Sequence, residues 1–563
     1  MTKQIENERF RVSWEPMMRS GKACIAILIM GWLLTALASH ASEAPAIRKF
    51  GDQGQLIVDG KPYLILGGEV GNSSAGTAEQ ADTILPKLAK LHVNTVLIPV
   101  AWEQIEATEG KFDFSVLDHW VDVARREHLH LVLLWFGSWK NAFSNYAPIW
   151  VKRDTKRFPR AISADGTELE ILSTLGAETL RLDRKAFSTL MSHVREKDAE
   201  QQTILMAQVE NEVGHLGRGR DRSSAANQLF RSAVPPVLIQ KLQSAEKLLS
   251  PELSANFHPG RKSWQEVFGD AADEVFMAWN YARFIQAVAS DGKQAYPLPM
   301  YVNAQLPAPA ERAGEYPSGG PHPYYLQVYR AIAPTLDFYS PDIYWPNFEY
   351  WMQRYTFPGN AVFVPEARIE SAPFNAFYAY GESRAFGFSA FGIDNIESPV
   401  DRSGPAPGME QTYRALEDLA DMLLPAQESG HTRGLVLHAS SPRPTQTVAL
   451  GGFLFEATLS RSWPAKALLT DDGAMIIVQS APEEFFIAGR GLTVSILRDP
   501  DRDDQVAGIG SIEEVSRIDG KWVTQRRLNG DQSNQGRQLS MSPNQVRTYR
   551  VILYTTERER QAQ

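Results

Sequence analysis

Two acidic segments of this chain follow apolar runs of the kind that form buried β-strands. Asn211 and Glu212 come after the run Thr203–Val209, and Glu366 comes after the run Ala361–Val364. Unpaired buried charges cost several kcal/mol each, so these side chains are expected to face a polar cleft. Two carboxyl groups about 5–5.5 Å apart can hydrolyse a glycoside with retention, one acting as nucleophile and the other as general acid and base.

Eight strand-like runs alternate with helix-like segments through the first two-thirds of the chain. The runs are Tyr63–Gly68, Val93–Val100, Leu129–Trp135, Thr203–Val209, Pro299–Asn303, Leu336–Ile343, Ala361–Val364 and Ala385–Phe391. This alternation predicts an α/β fold, a (β/α)8 TIM barrel with its catalytic groups at the C-terminal ends of the strands. Glu212 ends the fourth run and Glu366 the seventh, so a closed barrel would bring both acids to one mouth.

The hydrophobic pattern predicts two folded domains. Residues 42–398 are interpreted as the catalytic barrel, with long loops at Ser138–Gly176 and Gly214–Pro259. After Pro399 the pattern changes to short alternating runs separated by Gly, Asp, Asn and Pro. Residues 399–563 are therefore predicted to form a C-terminal antiparallel β-sandwich domain.

Residues 1–41 have the pattern of a signal peptide. Basic residues precede the apolar run Cys24–Leu34, and Ser39–Ala41 supplies the small residues of a cleavage site. The run is shorter than the roughly 20 residues of a membrane span, so no membrane anchor is expected in the mature form. Cys24 is the only cysteine, and its removal would leave no disulfide, thiolate metal site or Cys nucleophile. We expect a periplasmic or secreted protein.

Several chemistries are disfavoured by the composition. The net charge is −9 and no block of Lys and Arg occurs, so nucleic acid is not an expected partner. The eleven His include no HExxH motif and no close pair of metal-ligand spacing, which argues against a catalytic zinc. The chain has neither a Gly-rich phosphate loop after its first strand nor a Gly-x-Ser-x-Gly elbow. We therefore expect no cofactor.

The ensemble of motifs resembles a known enzyme family. An Asn-Glu pair ending strand four and a lone Glu ending strand seven are typical of the retaining (β/α)8 glycoside hydrolases of clan A. Within that clan the chain resembles the family 35 β-galactosidases, particularly a bacterial branch with a β-rich C-terminal domain. The motifs that carry this resemblance are Leu66–Glu69, Asn94–Val96, Val100–Glu106, Glu109–Phe114 and Gln208–Gly214. Two departures from the commoner pattern are Val213, where Tyr is usual, and the surroundings of the nucleophile in Pro365–Arg368.

The resemblance implies roles for three residues. Glu212 matches the acid/base, Glu366 the nucleophile and Asn211 the donor to the sugar 2-hydroxyl. Arg368 is an adjacent cation that would favour an ionised Glu366, and Glu210 is expected to support the site. Further candidate substrate-binding residues, each of which could instead be structural, are Glu69, Trp102, Glu103, Trp139, Asn303, Tyr344 and Asp394.

These observations predict a retaining exo-β-galactosidase that needs no cofactor. The expected substrate is a galactosylated oligosaccharide, with the side chains of plant xyloglucan suggested by analogy. One alternative is another clan A enzyme, such as a β-glucosidase, β-mannosidase or arabinosidase. A second is a catalytically inactive barrel that binds glycans.

Overall fold

A small antiparallel sheet precedes the barrel. In the computed structural model, which describes residues 43–217, 219–395, 406–499 and 505–557, this sheet consists of β1 (Ala46–Phe50), β2 (Gln53–Val58) and β3 (Lys61–Tyr63). Leu56 packs into the apolar interior of the barrel, and the Tyr63 hydroxyl donates to the Asn94 carbonyl, at the start of a barrel strand. The small sheet therefore lies at the end of the barrel where the strands begin. The predicted signal peptide and Cys24 lie outside the described residues.

A parallel sheet closes into the predicted barrel. Its strands are β4 (Ile65–Glu69), β5 (Thr95–Ala101), β6 (His130–Phe136), β9 (Ile204–Val209), β10 (Met300–Gln305), β11 (Phe338–Ile343), β12 (Phe363–Val364), β13 (Glu366–Ala367) and β14 (Gly387–Phe391). β12 pairs with β14 and β13 with β11, so the two are halves of one strand interrupted at Pro365. β14 also pairs with β4, so the barrel is closed. With β12 and β13 counted as one strand, the barrel has eight strands. The TIM-barrel prediction is confirmed, although its first strand begins at Ile65 rather than at Tyr63.

Helices cover the barrel and fill its long loops. The α-helices are Ala78–Ala89, Trp102–Ile105, Ser115–Arg126, Ile149–Arg153, Ala177–Asp198, Ser224–Arg231, Pro236–Ser244, Pro251–Asn256, Trp264–Phe268, Ala272–Ala295, Leu326–Ile332, Phe348–Tyr355, Ala372–Gly381 and Ala406–Ser429. Ser115–Arg126 illustrates why they form: it buries an apolar face that includes Trp120, and basic side chains in its last turn complement the helix dipole. The loop after β6 also contains the hairpin of β7 (Arg160–Ile162) and β8 (Glu168–Leu172).

Aromatic rings fill the barrel below its mouth. Tyr301 and Phe338 stack with centroids 5.0 Å apart, and Phe363 meets both rings edge-on. Phe386 stacks on Phe363 at 5.4 Å. This dry, close-packed layer confines polar chemistry to the C-terminal strand ends above it.

The C-terminal region is built from two antiparallel sheets. Its strands are β15 (Thr432–His438), β16 (Thr445–Leu450), β17 (Phe453–Leu459), β18 (Asp472–Ala481), β19 (Glu484–Arg490), β20 (Leu492–Arg498), β21 (Gln505–Ile518), β22 (Lys521–Arg527), β23 (Gln538–Ser540) and β24 (Arg547–Glu557). The sheet orders are β15-β18-β19-β24-β21-β22 and β16-β17-β20-β23. Phe455, Ile477 and Val494 belong to the apolar cluster that the two sheets share, which confirms the predicted antiparallel β-rich fold. In the part of the chain that the structure describes, no helix has the length and apolar character needed to cross a membrane.

Candidate active site

A cavity of about 310 Å³ opens at the C-terminal ends of the barrel strands. Its lining residues are Asn72, Lys140, Asn141, Glu212, Gln305, Leu306, Asp342, Tyr344, Trp345, Glu366 and Phe391. Glu212, Asp342 and Glu366 each contribute one carboxylate oxygen to a group whose members all lie within 4.8 Å of one another. The structure thus brings together the two acids that are 154 positions apart in the sequence.

Glu366 is oriented by a phenol. The Tyr344 hydroxyl donates to Glu366 Oε2 at 2.6 Å, and Glu366 is only 3% exposed. Burial, followed by the charge of Glu366, raises the pKa of Tyr344 far above its usual value, so this hydroxyl keeps its proton and remains a donor. Tyr344 therefore holds one Glu366 oxygen and leaves Oε1, which has no hydrogen-bond partner in the described part of the chain, free to react.

Glu212 is held by its backbone as well as by its side chain. Its φ angle of 44° lies in the left-handed region, which is unusual for a residue other than glycine. The Asn303 amide oxygen accepts a hydrogen bond from the Glu212 backbone N–H at 2.9 Å. The Asn141 amide donates to Glu212 Oε2. These contacts fix the direction in which the carboxyl group enters the cavity.

The environment of Glu212 favours its protonated form. Burial, and then the negative charge of Glu366, raises the pKa of Glu212 to about 7. The charge of Lys140 and the hydrogen bond from Asn141 act in the opposite direction. Because the group holds a proton near neutral pH, Glu212 has the property required of a general acid.

Two further buried acids surround the pair. Glu69 is fully buried at the end of β4, and neither of its oxygens has a hydrogen-bond donor among the described groups. Burial, and then the charge of Glu366, raises the pKa of Glu69 well above its usual value, and the same two causes raise that of Asp342. Asp342 accepts a hydrogen bond from the Asn303 amide at 2.6 Å. Both acids are therefore favoured in the neutral form, which limits the negative charge of the cluster.

One buried cation faces these acids. Lys140 is 5% exposed and its ammonium lies 5.0 Å from the centre of the Phe136 ring. Burial would lower the pKa of this ammonium, but the charges of the neighbouring carboxylates, Glu366 first, raise it overall. Among the described residues, the acids spaced so that they could ligate a cation are Glu212, Asp342 and Glu366 themselves, and Lys140 already supplies positive charge there.

Glu210 lies behind the cavity rather than in it. Its Oε2 accepts the Trp139 backbone N–H at 2.8 Å, and the neighbouring Asp183 accepts the Trp135 indole N–H at 2.9 Å. Burial, and then the charge of Asp183, raises the pKa of Glu210 well above its usual value. A methyl group at Gly137 would lie only 2.8 Å from Glu210 Oε1, so a glycine at this position allows the Glu210 carboxyl group to pack against the backbone there. Glu210 supports the loop after β6, in agreement with its predicted role.

Asn211 is buried beside the acids without a protein partner. Its side-chain oxygen and nitrogen make no hydrogen bond among the described residues, although the residue is 0% exposed. Buried polar groups are normally hydrogen-bonded, so this amide is available to a partner from outside the protein, although Asn211 is not among the residues that line the cavity.

Seven of the eight predicted substrate ligands are absent from the residues that line the cavity, Tyr344 being the exception. Besides Glu69, Asn211 and Asn303, which are described above, they are Trp102, Trp139, Glu103 and Asp394. Trp102 is buried and donates its indole N–H to Glu106 at 2.7 Å, because the helix that it begins turns the ring into the core. Trp139 is likewise buried, with its indole N–H on the Leu172 carbonyl at 3.1 Å. Glu103 forms an ion pair with Lys152 at 2.8 Å.

Asp394, the fourth, acts through a loop. Its two oxygens accept hydrogen bonds from the Gly71 backbone at 2.9 Å and the Ser74 hydroxyl at 2.5 Å. Between these residues lies Asn72, which lines the cavity, so Asp394 is placed to position that loop. Arg368, expected to be the cation beside Glu366, instead donates its Nε–H to the Tyr344 carbonyl at 3.0 Å. The cation that lines the cavity is Lys140.

The sequence reasoning missed several cavity residues. Asp342 precedes Tyr344 by two positions at a strand end, which is a signal that could have identified it. Lys140 and Asn141 belong to a loop, and Trp345 and Gln305 adjoin strand ends without titratable groups. Loop side chains carry no periodicity that shows which of them turn inward.

The comparisons with known families cover parts of the chain. Residues 72–248 match the family model described as β-galactosidase of glycoside hydrolase family 42, a segment that carries Lys140, Asn211 and Glu212. Residues 409–540 match a domain of unknown function, DUF5597. The family 42 model, rather than family 35, is the one that matches, so the finer resemblance suggested by the motifs is not supported.

A curated β-galactosidase from Xanthomonas manihotis is 36% identical over 95 residues, which are 17% of this chain and 16% of that protein. The chain therefore aligns with only about a sixth of that relative's length.

Solved structures share the general architecture at low similarity. A β-mannanase from Mytilus edulis is 12% identical, covers 66% of this chain and 96% of its own, and has a TM-score of 0.40. A β-galactosidase from Marinomonas ef1 is 12% identical with 64% and 61% coverage and a TM-score of 0.41. The catalytic domain of a β-amylase from Paenibacillus polymyxa is 12% identical, with 62% and 96% coverage and a TM-score of 0.43. Scores this low do not discriminate between functions.

Proposed function

We propose that this chain, whose barrel is a β-galactosidase-like glycoside hydrolase domain of clan A, is a retaining exo-β-galactosidase. The observation that carries the proposal is the approach of Glu212 and Glu366, whose nearest carboxylate oxygens lie within 4.8 Å. That separation suits the retaining mechanism, since inverting enzymes keep their carboxyl groups about 6.5–9.5 Å apart to admit a water molecule.

The two acids have environments suited to different steps. Glu366, positioned by Tyr344, attacks the anomeric carbon and forms a covalent glycosyl ester. Glu212 gives its proton to the glycosidic oxygen, so the leaving group departs as a neutral alcohol. Glu212, now a carboxylate, then takes a proton from water as the water attacks the same carbon. This step releases the sugar with its original anomeric configuration and restores both acids.

The substrate that we propose is a terminal β-D-galactosyl group on an oligosaccharide. A cavity of about 310 Å³ suits one terminal sugar and the start of its leaving group. The half-buried ring of Trp345, which lines the cavity, offers an apolar face to the second sugar. The sequence resemblance and the predicted export lead us to propose galactosyl side chains of plant xyloglucan as the natural substrate.

The test is hydrolysis of an aryl β-D-galactoside followed by proton NMR. We expect β-galactose as the first-formed anomer and a lower rate with the matching β-glucoside and β-mannoside. A 2-deoxy-2-fluoro galactoside should label Glu366, as read by peptide mapping. First-formed α-anomer, label on another residue, or a preference for another glycoside would overturn the proposal.

Substitution of each acid completes the test. Glu366→Gln and Glu212→Gln should each lower kcat by about 100-fold or more. The matched control is Glu370→Gln, an exposed acid four positions beyond the nucleophile, which should leave kcat within about two-fold. Near-normal turnover by either active-site variant would contradict the assignment.

A further inference from the structure

Among the described residues, the ammonium of Lys140 contacts the ring of Phe136, 5.0 Å from its centre, but has neither an ion pair within 4.0 Å nor a side-chain hydrogen bond. An ammonium carries three donors, and a buried charge without hydrogen bonds is costly. Because Lys140 lines the cavity, its donors are available to a molecule bound there.

The backbone is built to present this side chain. Lys140 and Phe143 exchange two backbone hydrogen bonds, at 2.7 and 3.0 Å, across a two-residue turn. The turn residues Asn141 and Ala142 both have positive φ angles, 50° and 64°, which a residue such as alanine adopts only at a cost of about 1 kcal/mol or more. The Ala142 N–H donates to the Glu212 carbonyl at 3.2 Å, so the strained turn is hydrogen-bonded to the segment that follows β9.

We propose, on the basis of the function proposed above, that Lys140 is a specificity-determining residue that donates hydrogen bonds to the 3- and 4-hydroxyls of the terminal sugar. The order of groups around the barrel mouth supports these positions. Glu212 acts at the oxygen on C1, and its chain neighbour Asn211 holds an unpartnered buried amide suited to the hydroxyl on C2. Lys140 follows the adjacent strand, β6, and we assign it on this basis to the next carbons of the ring.

An ammonium suits this task for a chemical reason. Adjacent hydroxyls at C3 and C4 present two acceptor oxygens to one point, and a rotating group with three donors can bind both. The 4-hydroxyl is axial in galactose and equatorial in glucose, so the point from which one ammonium reaches both oxygens lies on a different side of the ring in the two epimers. Lys140 thus distinguishes the epimers by hydrogen-bond geometry rather than by cavity size.

The rival role for Lys140 is charge compensation alone. Its charge acts on Glu366, Glu212 and Glu69, and that effect would be the same for every sugar. The two roles differ in their dependence on substrate hydroxyls, so deoxy substrates separate them.

The experiment compares wild type and Lys140→Met on aryl β-galactoside and its 3-deoxy, 4-deoxy and 6-deoxy analogues. We expect kcat/KM of the variant to fall about 10- to 100-fold for the parent and the 6-deoxy substrate. The fall should be several-fold smaller for the 3-deoxy and 4-deoxy substrates, because these have already lost one partner of Lys140. Lys140→Arg, which keeps the charge but changes the donor geometry, should retain the alkaline limit of activity yet lose discrimination against the β-glucoside.

The controls keep the outcomes distinct. Lys185→Met removes a lysine whose ammonium also lies near a ring, that of Phe112 at 5.9 Å. This variant should leave the ratios of kcat/KM among the four substrates unchanged. Equal losses on all four substrates would overturn the proposal and assign Lys140 to charge compensation. Failure of the wild type to hydrolyse the parent galactoside would instead overturn the proposed function.

Discussion

The side chain of Asn303 joins the backbone of Glu212 to the carboxyl group of Asp342. Its oxygen accepts the Glu212 N–H at 2.9 Å and its nitrogen donates to Asp342 at 2.6 Å. Since Glu212 has a φ angle of 44°, this contact helps to hold an unfavourable backbone conformation. The Asn303 amide on β10 therefore holds the backbone of Glu212, the acid that follows β9.

Replacement of Asn303 by Leu should impair proton donation more than binding. The variant keeps the branched shape of the side chain but leaves the Glu212 N–H without its acceptor. We expect kcat/KM, which reports the first step, to fall about 10- to 100-fold on a substrate with a poor leaving group and much less on a dinitrophenyl galactoside, whose departure needs no acid assistance. Equal losses on both substrates would show that Asn303 does not act through Glu212.

The alkaline limit of activity should report the proton on Glu212. Because the pKa of Glu212 is raised to about 7, the acid is present below that pH and kcat/KM should decline as the pH rises through it. Asn141→Leu removes a hydrogen bond that lowers this pKa, so the alkaline limit should move to higher pH. A pH profile of kcat/KM for both proteins is the measurement, and a shift to lower pH would contradict the assignment.

Tyr344→Phe should slow the chemistry without a comparable loss of affinity. The change removes the hydrogen bond of 2.6 Å to Glu366 and leaves the aromatic ring in place. We expect kcat to fall about 10- to 100-fold, as for other hydrogen bonds to charged groups, with KM changed much less. Tyr350→Phe is the matched control, because Tyr350 is 44% exposed and lies outside the cavity lining. An unchanged kcat in Tyr344→Phe would refute the role.

Glu210 should make folding stability depend on pH. Its folded-state pKa lies well above the ordinary value, so its contribution is complete below about pH 4.3 and is lost as the pH rises toward the raised pKa. Glu210→Gln keeps an acceptor for the Trp139 N–H and removes this titration. The free energy of unfolding should fall less steeply with pH in the variant, by up to about 1.4 kcal/mol per pH unit. Urea unfolding at several pH values measures the slope, and identical slopes would contradict the prediction.

The sequence by itself determined the barrel and the principal acids. Alternation of apolar runs and helical segments is a local property, and the residues that end each run lie at one mouth once the sheet closes. For this reason the sequence alone predicts Glu212, Glu366, Tyr344 and Asn303 as site residues, although it does not give their separations. The C-terminal antiparallel sheets were predicted from the same kind of signal.

Only the tertiary structure decided which other side chains face the cavity. Lys140 and Asn141 are directed inward by a strained turn fastened to β9, whereas Trp102 and Trp139 satisfy their indole N–H groups in the core. Such directions depend on hydrogen bonds between segments far apart in the sequence. The raised pKa of Glu212 is equally a tertiary property, because burial and the charge of Glu366 exist only in the folded chain.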